Sequence, residues 1–403
     1  MLTLAISAAL AASSSSQAAP AQTPASDIVV VGKRIKDAEA ALRSCLARDC
    51  PPDEDIAATL RLAETHIVGG DYQKARAALH GSIRRNKGEA RTYPLPLSNL
   101  YRASGRVASH MGFSSEYYDH TFNIYRTLNA GLPQASSRHF FARMEIADMM
   151  ARTRGHERAR LYFRGIARDA TKAGRPDIAA TAQLRSLVHH SPPDESRLAG
   201  IRRIASSTDP ELRVAALDAR LALTRMAYER KDLREAERLR REFAELQLES
   251  PLLIYAPPYA SVDGEISTAS DMNMLPPPGN SGSGPSFIRN VPMARFSATK
   301  RLSGSFDDLW VDVGVRIARN GDVAEARILR SEGDTSWAKP LLAAISLRRY
   351  TPVGPAADDL SRVERYTYTS YFEAQTGSRL LDRSPQGRIE YLDLEPGALG
   401  TQE

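Results

Sequence analysis

Residues 310–353 read WVDVGVRIARNGDVAEARILRSEGDTSWAKPLLAAISLRRYTPV, and within them the spacing of apolar residues changes from that of a strand to that of a helix. Leu309, Val311, Val313, Val315 and Ile317 alternate with Trp310, Asp312, Gly314 and Arg316. Successive side chains of a strand point to opposite faces, so this run predicts a strand with one buried face. Asn320-Gly321 suits the positive φ of a tight hairpin, and a second strand from Val323 to Arg330 should pair back. Pro340 is tolerated in the first turn of a helix, which should reach about Leu347. Residues 362–373, RVERYTYTSYFE, form another strand rich in aromatics and Thr. The expected unit is β-β-α-β over 301–394, with a tail at 395–403.

Outward from this unit, residues 250–300 carry Pro257-Pro258 and the run Pro276-Pro277-Pro278-Gly279-Asn280-Ser281-Gly282-Ser283-Gly284-Pro285. Gly and Ser loosen a chain and Pro denies it regular pairing, so this reads as a linker. GNSGSG lacks the Lys-Ser/Thr of a phosphate loop, and no strand leads into it. From 35 to 249, apolar residues recur at helical spacing without a convincing strand. The clearest unit is Leu62-Ala63, then Gly69-Gly70-Asp71-Tyr72-Gln73-Lys74-Ala75 and Leu79. Two helices joined by a Gly turn need small residues where they cross, and Ala63 and Ala75 supply them. Related units occur at Ile146-Ala147 with Gly155, Ala159 and Phe163, and at Asp232-Leu233 with Ala236 and Phe243. The Gly-x-Tyr turn followed by Ala three residues later resembles a tetratricopeptide repeat. That resemblance implies a solenoid of α-helical hairpins with a peptide-binding concave surface.

The amino-terminal 1–19 read as a signal peptide, with an apolar run from Leu2 to Ala12 and small residues at Ala18 and Ala19. The alternative is an uncleaved inner-membrane anchor, although a span needs about 20 apolar residues. Residues 20–34 form a leader in which the β-branched run of Asp27-Ile28-Val29-Val30-Val31-Gly32-Lys33-Arg34 predicts an extended segment. A helix should follow from about Ile35 to Arg48, and Asp53 should cap the next. Cys45 and Cys50 are the only cysteines. An oxidising compartment lets them pair, but residues five apart in a continuous helix stand about 8 Å apart, beyond disulfide reach. The helix must therefore end between them, and Pro51-Pro52 supplies the stop.

The 403 residues suggest two or three folded units, and 42% hydrophobic with 25% charged residues is a globular composition. A net charge of +6 favours acidic partners or anionic surfaces; no zinc finger, recognition helix or RNA signature accompanies it, which sets nucleic acid aside. His66, His80, His110, His120, His139, His156, His189 and His190 are scattered without H-E-x-x-H or a serine elbow. No catalytic, cofactor-binding or metal residue is therefore assigned, and no cofactor is expected. Trp310 and Trp337 suit either a ligand platform or packing. Arg234 to Arg241, interleaved with Glu235, Glu237 and Glu242, reads as a salt-bridged surface.

The β-β-α-β order, the Gly321 hairpin, Ser331-Glu332-Gly333-Asp334 before the helix, Leu342 and Ile345 on its core face, and Tyr350-Thr351-Pro352 after it are similar to the carboxyl-terminal domain of the TonB family. Together with the helical repeats, CLARDCPPD and VVVGKR, the chain resembles TonB-like proteins of alphaproteobacteria. The fold class expected is multidomain, α plus α+β. The resemblance implies that an extended peptide adds to an exposed strand at 362–373, with Tyr366, Tyr368, Tyr371 and Phe372 beside it. IVVVGKR itself looks like the box such domains bind, so Ile28, Val29, Val30, Val31 and Gly32 are candidate pairing residues; the alternative is an ordinary leader. The function expected is a non-enzymatic periplasmic adaptor for proteins or extended peptides, among them TonB-dependent receptors or a TonB transducer, with at most peripheral membrane contact. Energy transduction through an anchor and a divergent envelope enzyme are the alternatives.

Overall fold

The computed structural model describes residues 25–133, 136–153, 155–188, 194–257, 294–298, 309–355, 360–374 and 381–394. Helices follow one another through the first part: α1 (Ala25–Ala47), α2 (Pro52–Val68), α3 (Tyr72–Asn86), α4 (Pro94–His110), α5 (Ser114–Gly131), α6 (Ser137–Thr153), α7 (His156–Lys172), α8 (Pro176–Val188), α9 (Glu195–Ala205), α10 (Arg213–Glu229) and α11 (Leu233–Glu242). Neighbours in sequence pack together, and α2 on α4, α6 on α8 and α8 on α10 stack the hairpins side by side. The crossings lie where small residues were expected: Ala63, Ala75, Ala147, Ala159 and Ala236 are fully buried. Gly70 takes φ +84° in the α2–α3 turn, and the Asp71 carboxylate accepts from the Lys74 amide at the start of α3. Among the described residues no helix is long and apolar enough to cross a membrane.

Two amino-terminal expectations change. The segment from Asp27 to Arg34 lies within α1 and is not extended. β-Branched residues cost a helix only a few tenths of a kcal/mol each, and no Pro or cap separates this run from the helix that follows it. Asp53 is not a cap, because α2 starts at Pro52 and Asp53, Glu54 and Asp55 occupy its first turn, where carboxylates meet the positive end of the helix dipole. α1 does end at Ala47, and Cys45 and Cys50 form a disulfide with Cα atoms 5.2 Å apart. The expected signal segment, His189-His190 and GNSGSG lie outside the described residues.

The carboxyl-terminal part contains β2 (Ala294–Ala298), β3 (Trp310–Ile317), β4 (Val323–Glu332), α12 (Ala338–Ser346), β5 (Arg349–Tyr350), β6 (Ser361–Ala374) and β7 (Leu381–Leu394). Five of these strands form an antiparallel sheet in the order β2-β7-β6-β3-β4. The expected β-β-α-β order is present, yet 362–373 is not an edge, because β7 pairs along it. The supposed linker is also trimmed at both ends: β1 (Leu253–Tyr255) pairs with β5, with Ile254 and Ala256 fully buried, while β2 joins β7. One face of the sheet packs Val311, Val313, Val315 and Ile317 against α12 through Leu341 and Ile345. The opposite face is not open to solvent as alternation predicts. Val363, Leu392 and Leu394 join the core of α2, α3 and α4, so the helical array covers this second face.

Candidate interaction site at the array–sheet junction and the β4 edge

The junction is organised by Arg365, which is fully buried on β6. Its Nε donates to Asp312 Oδ1 at 2.6 Å and its Nη2 to Oδ2 at 2.9 Å. The same guanidinium reaches across to the helices, donating to the carbonyls of Ile67 and Val68 at the end of α2. The last carbonyls of a helix have no partner within it and carry the negative end of its dipole, so a buried cation there satisfies both needs. Arg330 is a second partner, donating from Nη2 and Nε to Asp312 Oδ2 at 2.6 and 2.9 Å. Burial pushes the Arg365 guanidinium down, but Asp312 more than offsets this and holds it above its ordinary range. Arg365 also lies 3.8 Å from the Trp310 ring centre. Close by, the Tyr72 hydroxyl meets Thr367 Oγ1 at 2.8 Å. The repeat-like Tyr72 thus contacts the sheet.

The aromatic residues expected to receive a partner divide into two groups. Tyr366 and Tyr368 are buried in the sheet's own core, Tyr366 against Tyr391 with ring centres 5.3 Å apart and Tyr368 against Trp337 at 5.6 Å. The Tyr366 hydroxyl bonds Glu364 and accepts from Arg348 Nη2 at 2.5 Å. Tyr371 and Phe372 lie at the junction. Phe372 stacks on Phe113 at 4.7 Å and its amide donates to the Gly112 carbonyl at 3.0 Å, while Arg388 lies 3.9 Å over Tyr371. Gly112 has φ +85°, and a Cβ there would collide with the Ser370 carbonyl, so this close approach requires glycine. The partner of these residues is therefore the α4–α5 turn of the same chain. Ile28, Val29, Val30, Val31 and Gly32 belong to α1, which packs on α2 and joins neither sheet.

A second contact ties the far end of the array to the sheet region. Arg240 on α11 donates to the carbonyls of Tyr350 (3.1 Å) and Asn320 and to Asp322 Oδ1 (2.7 Å). Arg225 on α10 donates to the carbonyls of Ile254 and Leu253 at 2.9 and 3.2 Å, holding β1, and burial pushes its guanidinium down to about 10. Arg238 keeps the expected surface role with Glu235 and Glu242. Arg240 does not. Arg365, Arg240, Gly112 and all of β7 were missed by the sequence reading.

The described sheet has two margins, the five-residue β2 and the ten-residue β4, and the longer offers more backbone to another chain. Eight of the ten residues of β4 pair with β3 on one side, and among the described residues the other side has only an isolated bridge from Asp322 to Arg349 at its start. Register shifts opposite Asp312/Val313 and Arg316/Ile317 make Leu329 and Ala324 extra residues, so the strand carries two bulges. Glu325 and Arg327 are exposed and Leu329 is 38% exposed. Bulges and charges guard an edge against indiscriminate pairing while leaving its backbone groups able to pair with a fitting strand. Cys45, Cys50 and Glu54 come within metal-ligand distance of one another, but both sulfurs are committed to the disulfide. Comparison with protein families, curated proteins and solved structures found no match to this chain.

Proposed function

We propose that the protein is a non-enzymatic cell-envelope adaptor that binds an extended peptide or protein segment by adding it as a strand beside β4. The observation that carries this reading is that, among the described residues, the ten-residue edge strand β4 pairs in a ladder on one side only, whereas the strand at 362–373 is enclosed by β7 and by the array. The tetratricopeptide-like hairpins act here as a support that fixes the sheet. The TonB-like β-β-α-β unit is self-complemented, with β7 taking the place that the family gives to an incoming peptide. Backbone pairing supplies affinity in such a mode, and alternate side chains of the guest supply selectivity. Export through the amino-terminal segment and a periplasmic location belong to the same proposal.

The test uses the full-length protein and a displayed library of extended peptides, followed by hydrogen exchange on the complex of the best binder. Slowed exchange confined to 324–332, together with loss of binding in Arg327→Pro or Ser331→Pro, is the expected result. Proline removes an amide donor from the edge, and only one of the two amides should face the guest. Protection at 381–394 instead would mean that the guest displaces β7. Equal binding by both proline variants would refute the β4 site.

A further inference from the structure

On the array, His80 on α3 and Glu116 and His120 on α5 converge, and the spacing along the chain hides this group because 36 residues separate His80 from Glu116. Glu116 and His120 are one helical turn apart and share a face of α5. His80 Nε2 lies 2.6 Å from Glu116 Oε1, and His120 Nε2 lies 3.5 Å from the same oxygen. All three ligand atoms fall within 4.8 Å of one another. We infer that His80, Glu116 and His120 form a site for one divalent transition-metal ion of the zinc class, for which the Arg76 guanidinium is a built-in competitor.

Bonds of about 2.0–2.1 Å in a tetrahedral arrangement place neighbouring ligand atoms about 3.3 Å apart. The His120 to Glu116 separation already meets this. His80 must withdraw by somewhat under an ångström, and it can: its side chain is 29% exposed, whereas those of Glu116 and His120 are 16% and 11% exposed. Ser104 Oγ lies 3.1 Å from the same His120 Nε2, a contact that an entering ion must displace, and the Tyr101 ring centre is 5.6 Å from that of His120. Burial raises the Glu116 carboxyl, but hydrogen bonds from His120, His80 and Arg76 more than offset this and hold it far below the carboxylate range. Two imidazoles and one carboxylate are the donor set of open zinc sites, with a fourth position for water.

Arg76 sets the site apart from a purely structural ion pair. It clasps Glu116 through Nη2 to Oε2 at 2.6 Å and Nε to Oε2 at 3.0 Å, and rests 4.5 Å from the Phe113 ring centre. The clasp falls mainly on Oε2, while both imidazoles face Oε1. A metal ion can therefore enter on the Oε1 side, against the repulsion of the guanidinium. Nδ1 of His120 is buried with no hydrogen-bond partner among the described residues, and such an outer partner strengthens a metal-bound histidine roughly tenfold or more. A modest affinity follows, in the range of a reversible rather than a structural site.

The experiment is titration of the tag-free full-length protein, first stripped with chelator, with Zn2+ by calorimetry and with Co2+ by visible absorption. The expected result is one ion per chain and cobalt bands of a tetrahedral N/O site. His80→Ala and Glu116→Gln should each weaken binding by more than about tenfold, and Arg76→Gln should tighten it. His80→Ala is the cleanest variant because its side chain is partly exposed, and circular dichroism verifies that it folds. Absence of binding at about 100 µM Zn2+, or stoichiometric binding unchanged in His80→Ala, overturns the site. Unchanged affinity in Arg76→Gln overturns Arg76 as the competitor.

Discussion

The two ends of the helical array grip the sheet region in different ways. At the amino end, α2 to α5 meet it through apolar contact and the fully buried Arg365–Asp312 pair. At the far end, α11 holds it through Arg240, whose carboxylate partner Asp322 keeps 42% of its side chain exposed. The first is built like a protein core; the second is a set of charged hydrogen bonds at a rim. Burial raises the cost of breaking a pair, since the group left behind cannot turn to water. The amino end should therefore behave as a permanent joint and the far end as a weaker latch.

Arg365→Ala is the strongest way to break that contrast. Removing one member of a buried pair costs roughly 3–5 kcal/mol, and because Arg330 stays with Asp312 the lower figure, about 3 kcal/mol, is expected here. Urea unfolding should show that loss, and a change under about 1 kcal/mol would mean that the joint does not depend on the pair.

Acidity should separate the ends next. Near the far end, burial on α10 pushes Asp218 up to about 6, partly opposed by Arg185 and Arg225. The folded state then keeps a proton that the unfolded chain has released, so stability falls as pH rises from about 4 to 6, by roughly 2–3 kcal/mol. At the amino-end joint His110 has the opposite sign. Its burial, with Arg106, Arg388 and Arg365 nearby, holds its imidazole well below the usual range. Its contribution is present above about pH 6.5 and is lost as pH falls, because the unfolded chain takes the proton first. Melting Asp218→Asn beside the parent chain at pH 4.5 and 6.5 isolates the first effect. The variant should lose relative stability less steeply as pH rises; parallel curves would refute it.

How much of this was legible follows from how local each signal is. The β3 alternation, the Gly321 turn, α12 and the alanine crossings of the array arise from residues close in sequence, and each was read from the chain. The second face of the sheet was not. Asp312, Arg365 and Thr367 occupy positions that alternation gives to solvent, yet the array buries them. Their contacts with α2 and α3 join residues nearly 300 positions apart, such as Arg365 with Val68 at 297, and no periodicity encodes such a meeting. A weaker clue was present: Asp312 stands directly opposite Arg330 on one neighbouring strand and Arg365 on the other, a charge match worth little on a wet surface. β7 escaped because Ser384-Pro385-Gln386-Gly387 interrupts it with turn-like residues. The candidate partner residues were named for an edge that the chain fills itself, and the histidine–glutamate group was invisible because it joins two helices.

The latch should give a smaller effect than the joint. Arg240→Ala removes donors to two carbonyls and to Asp322, and hydrogen bonds from a charged group contribute about 1.5–3 kcal/mol. Since water can replace part of this at a rim, about 1.5 kcal/mol is expected. Hydrogen exchange should quicken at the Tyr350 amide, which donates to the Gly321 carbonyl, while the Phe372 amide, at the other end, stays slow. Faster exchange at both would show that the two contacts open together.

Tyr72→Phe sharpens the comparison most finely, because it deletes one hydroxyl and leaves the ring. That hydroxyl meets Thr367 Oγ1 at 2.8 Å inside the joint, and Thr367 has no exposed surface. A neutral hydrogen bond contributes about 1 kcal/mol, and a buried partner left alone adds a desolvation cost. The ring itself stacks on His110 at 5.6 Å and should keep its place. About 1 kcal/mol is therefore expected for the single variant, and almost nothing further when Thr367→Val is added, since the valine removes the abandoned hydroxyl. Independent, additive losses in that double-mutant cycle would mean that the two hydroxyls do not depend on one another, and that the tyrosine holds the joint through its ring alone.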